Sequence, residues 1–375
     1  MTTDRHPQAD TLYQAFMGLN PKRIPVWENW SCPDAETFIT GIDYYEHPRR
    51  CRLRMRELYP MLASGVTGLD VPATDDPKPR PPTDATDGQA VTDDKGLRHV
   101  RWGDSMTAEW DWGKDFDDID QVLAFSPLAN ADFRGKPVIS ALDFRSEEAL
   151  YNFYRPFYPA EWTGPQPGNS TFAFFYNTMF MWPMLTFGWE KFLEVCLLPE
   201  FERIMDEFAE INRRVFKTFA KLPVNFVVCH DDIVNPRGLI CSPAWMRKYI
   251  YPRYEEFWSI VKAAGKEVIF MTDGNADPVA DDVLACGARG IISEGFTDFK
   301  ALARRYENIT LAGEGDNRVL SRNNPAEIRA MVDSMLETSR MTGGYIMSIG
   351  NHIPWNLPPE AVKLYLDLVH EKSWR

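Results

Sequence analysis

VNFVVCHDD, at residues 224–232, is an apolar run that ends in three titratable side chains. EVIFMTDGN, at residues 267–275, repeats the pattern, and each run leads into a segment with helical spacing. Short runs rich in Val, Ile and Phe are typical of strands buried in a parallel sheet. Three more units of the same kind follow, namely GIISEGF (290–296), NITLAGEGD (308–316) and GGYIMSIGNHIP (343–354).

Helix-start signals separate these apolar runs. A proline in the first helical turn, preceded by a capping residue, is a common way for a helix to begin. Five β/α units joined by short connections require a parallel sheet. With strands predicted near residues 24, 66 and 172 the count is eight, which predicts an α/β fold of the (β/α)₈ TIM-barrel class. The start signals are Ser242-Pro243, Asp277-Pro278, Asn324-Pro325 and Pro358-Pro359.

The first half of the chain shows the same alternation less regularly. Helices are predicted over residues 9–19 and 47–63, and the run GVTGLDVP, residues 65–72, is predicted as a strand. TFAFFYNTMFMWPMLTFGW, residues 171–189, is predicted as a buried strand that runs into a turn. An amphipathic helix is predicted from Phe201 to Phe219, because apolar residues recur there at three- and four-residue spacing.

Residues 72–170 are predicted to be an insertion or cap on the barrel. The segment opens with a proline- and aspartate-rich loop, and two short runs follow, QAVT and LRHVRW. These runs flank the turn Asp93-Asp94-Lys95-Gly96, which is a good β-hairpin signal. A helix is predicted near residues 146–156. We expect the whole chain, residues 1–375, to form a single domain that includes this insertion.

Composition excludes several classes of protein. The formal net charge is −13 and we find no Lys or Arg run of the kind that nucleic-acid binders show, so a nucleic-acid partner is not expected. The sequence shows neither a secretory leader nor an apolar run long enough to cross a bilayer, so we expect a cytoplasmic protein without a membrane partner. The six cysteines lie far apart without a CxxC pair and are expected to be reduced thiols.

Polar residues follow the apolar runs, where a barrel places its catalytic face. Asp and Asn at such positions often only cap helices, but the fold would bring all of them to one mouth. Converging carboxylates with a histidine either hold a divalent ion or act as general acids and bases, and the sequence leaves both open. The residues are Glu28, His230, Asp231, Asp232, Thr272, Asp273, Asn275, Ser293, Glu294, Glu314, Asp316, Asn351 and His352.

The run from Asp231 to Asn275, followed by LAGEGD and GGYIMSIGNHIPWNLPPE, resembles the uroporphyrinogen decarboxylase superfamily. The resemblance is strong from about residue 223 to 372 and implies one of two activities. One branch of the superfamily decarboxylates porphyrinogens, and the other transfers methyl groups between a substrate, a corrinoid protein and an acceptor. HExxH, Gly-rich phosphate-loop and GxSxG motifs are absent, which excludes the enzyme classes that depend on them.

Two departures from the superfamily patterns decide between the branches. In the segment RIPVWENWSCPDAETF, residues 23–38, no arginine pair follows Trp27, where the porphyrinogen decarboxylases carry arginines that bind acidic porphyrin side chains. An acidic mouth also has the wrong charge for such a substrate. The thiol-using methyltransferases carry a His-x-Cys pair where this chain has Met271 and Asp273, so a thiolate zinc site is not expected. If zinc or another divalent ion binds, the resemblance implies oxygen-rich ligation by Asp273, Glu314 or His352.

The resemblance therefore implies a corrinoid-linked methyltransferase that demethylates a small, aromatic methyl ether. Cobalamin would be supplied by a partner corrinoid protein. A decarboxylase or lyase acting on a smaller carboxylic acid is the alternative, and a substrate-binding barrel without catalysis is a third interpretation. The expected catalytic residues are Asp273, Glu294, Glu314 and His352, and the expected substrate-binding residues are Trp27, Glu28, Trp30, Asn177, Asp231, Asp232 and Asn351. The tryptophans have a plainer interpretation as core residues.

Overall fold

A computed structural model describes most of the chain in atomic detail. The described residues are 9–30, 32–63, 71–78, 80, 90–92, 98–102, 105–109, 116–131, 143–158, 171–176, 178–354 and 357–375. The predicted substrate contact Asn177 and the predicted hairpin turn at 93–96 lie outside them. None of the helices in the described ranges is both long and apolar enough to span a bilayer.

The strands and helices alternate along the second half of the chain, as the apolar runs predict. The strands are β1 (Val26–Trp27), β2 (Leu62–Ala63), β3 (Ala90–Thr92), β4 (Arg98–Trp102), β5 (Ser105–Glu109), β6 (Phe172–Phe175), β7 (Phe226–His230), β8 (Val234–Asn235), β9 (Gly238–Leu239), β10 (Glu267–Met271), β11 (Gly290–Ile292), β12 (Thr310–Ala312) and β13 (Gly344–Ile346). The helices are α1 (Ala9–Phe16), α2 (Pro33–Thr40), α3 (Pro48–Leu58), α4 (Ile119–Ala124), α5 (Glu147–Tyr154), α6 (Met181–Phe187), α7 (Trp189–Val195), α8 (Phe201–Lys221), α9 (Pro243–Tyr249), α10 (Tyr251–Ala263), α11 (Ala280–Ala285), α12 (Phe299–Arg305), α13 (Asn317–Ser321), α14 (Pro325–Ser339) and α15 (Pro359–Lys372).

The chain divides into two compact units, and the second of them is Trp110–Ile291. Its strands are parallel and lie in the order β6-β7-β10-β11. Every side chain of β7 is buried, as expected for a strand covered on both faces. Helix α8 buries the predicted apolar stripe, which includes Phe201, Phe208 and Phe219. The predicted strands and the amphipathic helix of this unit are confirmed.

The first unit combines Met1–Glu109 with Ile292–Arg375. Strands β1 and β2 pair in parallel, and so do β12 and β13. The two pairs are joined beside β13, because Val26 forms a parallel bridge with Met347 and the Trp27 amide donates to the Met347 carbonyl oxygen at 3.0 Å. The ends of the chain's first and last parallel strands therefore lie side by side.

Six of the described helices begin at a capping side chain. Ser242 accepts a hydrogen bond from the Trp245 amide at the start of α9, and Asn324 accepts two at the start of α14. Asp298 does the same for α12. A side-chain oxygen at this position satisfies an amide that has no partner within the helix. The predicted starts at Ser242 and Asn324 are confirmed.

Some predicted boundaries are wrong. Helix α3 ends at Leu58 and not at residue 63, and a short strand, Leu62–Ala63, follows it. Most of the strand predicted over residues 65–72 lies outside the described residues. The aromatic run does not end in a turn, because helix α6 begins at Met181. Pro183 is tolerated there since it lies in the first turn, where its missing amide costs no helical hydrogen bond.

Residues 72–170, which were predicted to form an insertion, contain the predicted hairpin. Strands β3 and β4 pair antiparallel, with Ala90 opposite Val100, and β5 extends the pair to a three-stranded sheet. Helix α5 covers Glu147–Tyr154, where a helix was predicted near 146–156. The expectation that the whole chain is a single domain stays a prediction.

Candidate functional site

One histidine and two aspartates meet where β7 and β10 end. The two strands are parallel with Met271 opposite His230, so the residues that follow them emerge side by side. His230 Nε2 lies 3.0 Å from Asp232 Oδ1, and the same oxygen accepts the Asp273 amide at 2.7 Å. One potential ligand atom of each residue lies within 4.8 Å of the other two. We call His230, Asp232 and Asp273 the acidic triad.

His230 is the basic side chain of the acidic triad, and burial and the nearby aspartates act on its pKa in opposite directions. The residue is 3% exposed, and its Nδ1 atom has no hydrogen-bond partner within the described ranges. Burial acts to lower the pKa of His230, but the negative charges of Asp232, Asp273 and Asp231 outweigh it and raise the pKa above its usual value. The triad therefore stabilises a positive charge at this point.

Two aromatic rings from β6 and the residues after it border the triad. The Tyr176 ring packs edge-on against the His230 ring, with centroids 4.3 Å apart, and Phe174 lies 5.9 Å from the same ring. Phe174 is 36% exposed, unlike the other residues of β6. Burial and the charges of Asp232 and Asp273 raise the pKa of Tyr176, so its hydroxyl stays protonated. The site thus combines charge with an apolar wall.

Asp231, between two members of the triad, faces another way and anchors helix α6. Its carboxylate is fully buried and accepts the backbone amides of Met179, Phe180 and Met181 at 2.7–2.8 Å, as well as the Tyr254 hydroxyl at 2.7 Å. Burial raises its pKa to about 6 although all four donors oppose that shift. Asp231, which was predicted to bind substrate, thus positions the start of helix α6.

Glu28, which follows β1, is a buried carboxyl in the first unit. It accepts the Tyr365 hydroxyl at 2.5 Å and the Ile349 amide at 3.0 Å. Burial raises the pKa of Glu28 to about 8, against the opposing effect of these two donors. The side chain therefore joins β1, the segment after β13 and α15 as a largely uncharged acid at neutral pH.

The two predicted substrate-binding tryptophans of the first unit are both buried. Trp30 donates its indole N–H to Glu36 at 2.6 Å, and the other oxygen of Glu36 accepts the Arg52 Nε at 2.5 Å. The Arg52 guanidinium also lies over the ring of Tyr44. Glu36 therefore holds the Trp30 ring in place. The ion pair with Arg52 compensates the cost of burying the Glu36 carboxylate.

Glu314 is likewise engaged by its own unit. Tyr345 donates to one carboxylate oxygen at 2.6 Å, while Thr338 and Ser334 of α14 donate to the other. Burial raises the pKa of Glu314, and these hydrogen bonds oppose that shift. Both oxygens are therefore committed to the contact between β13 and α14.

The remaining predicted residues of the first unit lie near one another. His352 Nδ1 is 2.5 Å from Asn351 Oδ1, and Ile353 pairs with Trp30 through a parallel bridge. Glu294 lies against the same turn, because a Cβ on Gly350 would be 2.7 Å from its Cα. Burial lowers the pKa of His352, so its imidazole is neutral at pH 7. Trp30, Glu294, Asn351 and His352 are therefore neighbours, as expected for strand ends.

The triad differs from the metal ligands expected from the sequence. The group around Asp273 is completed by His230 and Asp232, while Glu314 and His352 belong to the other unit and have partners there. His230 was recognised as a strand-end residue but not as a site residue. The alternation in HDD was the available signal, because residues two apart on a strand point the same way.

A thiolate zinc site does not fit this geometry. Cys229 is the cysteine nearest in sequence to the triad, but it is fully buried and lies 3.1 Å from the Thr178 hydroxyl. The triad offers one imidazole nitrogen and two carboxylates, a set that suits divalent ions with nitrogen and oxygen preference.

Comparison with known proteins gives one family and one fold. Among curated proteins, none matches this chain significantly. A solved methyltransferase from Methanosarcina mazei has 15% sequence identity and a TM-score of 0.54, and the match covers 97% of this chain and 98% of that one. The likeness, with the parallel strands of both units, confirms the predicted (β/α)₈ fold class. Residues 190–372 match the family described as uroporphyrinogen decarboxylase (URO-D). This match covers just under half of the chain and includes the range, about residue 223 to 372, in which the sequence resembles that superfamily.

Proposed function

We propose that this protein is a methyltransferase that takes the methyl group of a small aromatic methyl ether and passes it to a corrinoid held by a partner protein. The observation that carries the proposal is the acidic triad beside Tyr176 and Phe174. The fold shared with a methyltransferase supports it. The triad would act on the ether oxygen, and the rings would contact the aryl group.

Demethylation of an ether is limited by its poor leaving group. The bond between the methyl carbon and oxygen breaks with both electrons on oxygen, which must then receive a proton or a metal ion. A reduced corrinoid supplies the nucleophile. The triad stabilises positive charge where β7 and β10 end, and that is the charge an aryl oxygen needs as it leaves.

The apolar wall supports an aromatic substrate in preference to an aliphatic one. Phe174 is partly exposed although it lies in an otherwise buried strand, and Tyr176 is held edge-on against the imidazole. Aromatic side chains with free faces commonly line sites for aryl ligands, since offset and edge contacts between rings are favourable.

The family name favours a second candidate, decarboxylation of a small carboxylic acid. Such a substrate would bring a further negative charge to Asp232 and Asp273, whose charges already act together on His230. His230 can balance one of these two carboxylate charges, and repulsion from the other opposes binding of an anionic substrate. Methyl transfer from a neutral ether avoids it, so it is the better match to the triad.

The test is to incubate the purified full chain with a reduced corrinoid and a panel of methoxylated benzenes. We expect equal amounts of the two products, with the phenol measured by chromatography and the methylated corrinoid by its absorbance. Asp273→Asn should lower the rate at least about 100-fold. Asp333→Asn, which alters an exposed carboxylate on α14, is the matched control and should leave the rate unchanged.

Two outcomes would count against methyl transfer. The proposal is contradicted if no substrate of the panel yields phenol or methylated corrinoid. This must hold both with free corrinoid and with cell extract as a source of the partner protein. Release of carbon dioxide from small acids without corrinoid would favour the decarboxylase instead.

A further inference from the structure

We propose that His230, Asp232 and Asp273 form a binding site for one divalent transition-metal ion, held by one imidazole nitrogen and two carboxylates. The inference deepens the proposed function, since it identifies the Lewis acid at the ether oxygen. It is tested by binding alone, so it can fail while methyl transfer stands.

The separations between the side chains match a coordination sphere. Two ligand atoms, each about 2.1 Å from an ion and at right angles, lie about 3.0 Å apart. His230 Nε2 and Asp232 Oδ1 are 3.0 Å apart. All three ligand atoms lie within 4.8 Å of one another. Two ligand atoms on opposite sides of an ion would be about 4.2 Å apart, so each residue would need to move by only a few tenths of an ångström. Small rotamer changes are therefore enough to close the site on an ion.

The two ring nitrogens of His230 are engaged differently. Its imidazole is 3% exposed, yet Nδ1 makes no hydrogen bond within the described part of the chain. A neutral imidazole carries one proton, which can lie on either nitrogen. Nothing on Nδ1 fixes the tautomer that donates from Nε2, so Nε2 can present its lone pair to an ion beside Asp232.

The neighbouring backbone holds the two aspartates in place. Asp273 donates its amide to Asp232 Oδ1, so each aspartate restrains the other. Gly274 has a φ of +100°, and a Cβ there would lie 2.6 Å from the Asn235 carbonyl carbon in the β8–β9 hairpin. Only glycine permits so close an approach. Restraints of this kind around the ligands are typical of metal sites.

The donor set also predicts what kind of ion binds and how. Three protein ligands leave positions for water or substrate, which distinguishes catalytic from structural sites. Asp232 remains 20% exposed, so the site has access to solvent. With nitrogen and oxygen donors and no thiolate, the site suits Mn²⁺, Co²⁺ or Zn²⁺ and gives no preference to thiophilic ions.

The test uses the full chain, stripped of metal by a chelator and titrated with Co²⁺ by calorimetry and visible absorbance. We expect one ion per chain, with cobalt d–d bands and no sulfur-to-cobalt charge-transfer band. Asp273→Asn and Asp232→Asn should each weaken binding at least about tenfold. His230→Gln keeps most of the side-chain volume and should shift the d–d bands.

Matched controls come from the ligands that the sequence suggested. Glu314→Gln and His352→Gln should bind Co²⁺ as the wild type does, with circular dichroism confirming the fold of every variant. The proposal is overturned if Co²⁺, Mn²⁺ and Zn²⁺ all fail to bind at one per chain, or if folded Asp273→Asn and Asp232→Asn retain wild-type affinity. Loss of binding in Glu314→Gln or His352→Gln would overturn it equally, because the ligands would then be others.

Discussion

Among single residues, Glu28 shows most clearly how burial changes chemistry. A carboxyl that is fully enclosed and held by Tyr365 and Ile349 has its pKa raised to about 8. In the unfolded chain an ordinary glutamic acid ionises near pH 4.5. Between these values the folded protein retains a proton that the unfolded chain releases. Stability from Glu28 is therefore present below pH 4.5 and is lost as the pH rises toward 8.

Replacing Glu28 with Gln should remove this pH dependence. The amide keeps an oxygen acceptor and cannot ionise. We expect the free energy of unfolding of Glu28→Gln, relative to wild type, to rise by up to about 4 kcal/mol between pH 5 and pH 8. Urea denaturation at three pH values measures the difference. Parallel stability curves for the two proteins would contradict the assignment.

The sequence predicts where polar residues lie better than what they do. The expectation that Asp232 and Asp273 meet is confirmed by a hydrogen bond. The different task of Asp231 could not be predicted, because its partners are amides of residues about fifty positions earlier. A carboxylate in a sequence does not reveal which of its neighbours will need an acceptor.

Among the secondary-structure elements, those with local signals were predictable. Ser242 and Asn324 cap the helices that follow them, and the hairpin of β3 and β4 surrounds its turn signal. Helix α6 was missed because its first amides are satisfied by Asp231 and not by a local capping residue. A helix whose start is stabilised from elsewhere in the chain carries no start signal of its own.

The contact between the ends of β11 and β12 should be intolerant of any side chain at Gly313. This residue has a φ of +97°, and a Cβ would lie 1.8 Å from the Ser293 carbonyl oxygen. We expect Gly313→Ala to destabilise the protein by more than about 3 kcal/mol or to prevent folding.

Gly265 is a matched control for this substitution. Its φ is +74°, but a Cβ there would meet nothing within 4 Å. Gly265→Ala should therefore cost only the backbone strain, about 1 kcal/mol. Chemical denaturation of both variants measures the difference, and equal losses would mean that the close approach to Ser293 is not the cause.

For the molecule as a whole, net charge is the property most directly set by composition. A chain with a charge of −13 repels polyanions at long range. We expect no binding to duplex DNA stronger than about 10⁻⁴ M at physiological salt. Electrophoretic mobility shift at two salt concentrations checks this, and a retarded band that weakens with salt would contradict it.

Fold class and family could be predicted because both depend on repeated patterns over the whole second half. Strand ends, capping residues and the URO-D motifs occur in the same units, so one interpretation explains all of them. A substrate depends instead on a few contacts, such as the edge of Tyr176 against His230, that come from strands distant in sequence. Such contacts become visible only when the register between strands is known.

His230, Asp231 and Asp232 depend on their order in the chain, so a residue cannot be inserted or deleted among them without loss of function. Successive side chains on an extended strand face opposite ways, so the outer two serve the triad and the middle one holds a helix. Deleting or inserting one residue would exchange their directions and disable both tasks together. Anyone grafting this site onto another barrel would need to transplant the three residues with the start of the helix that the middle one secures.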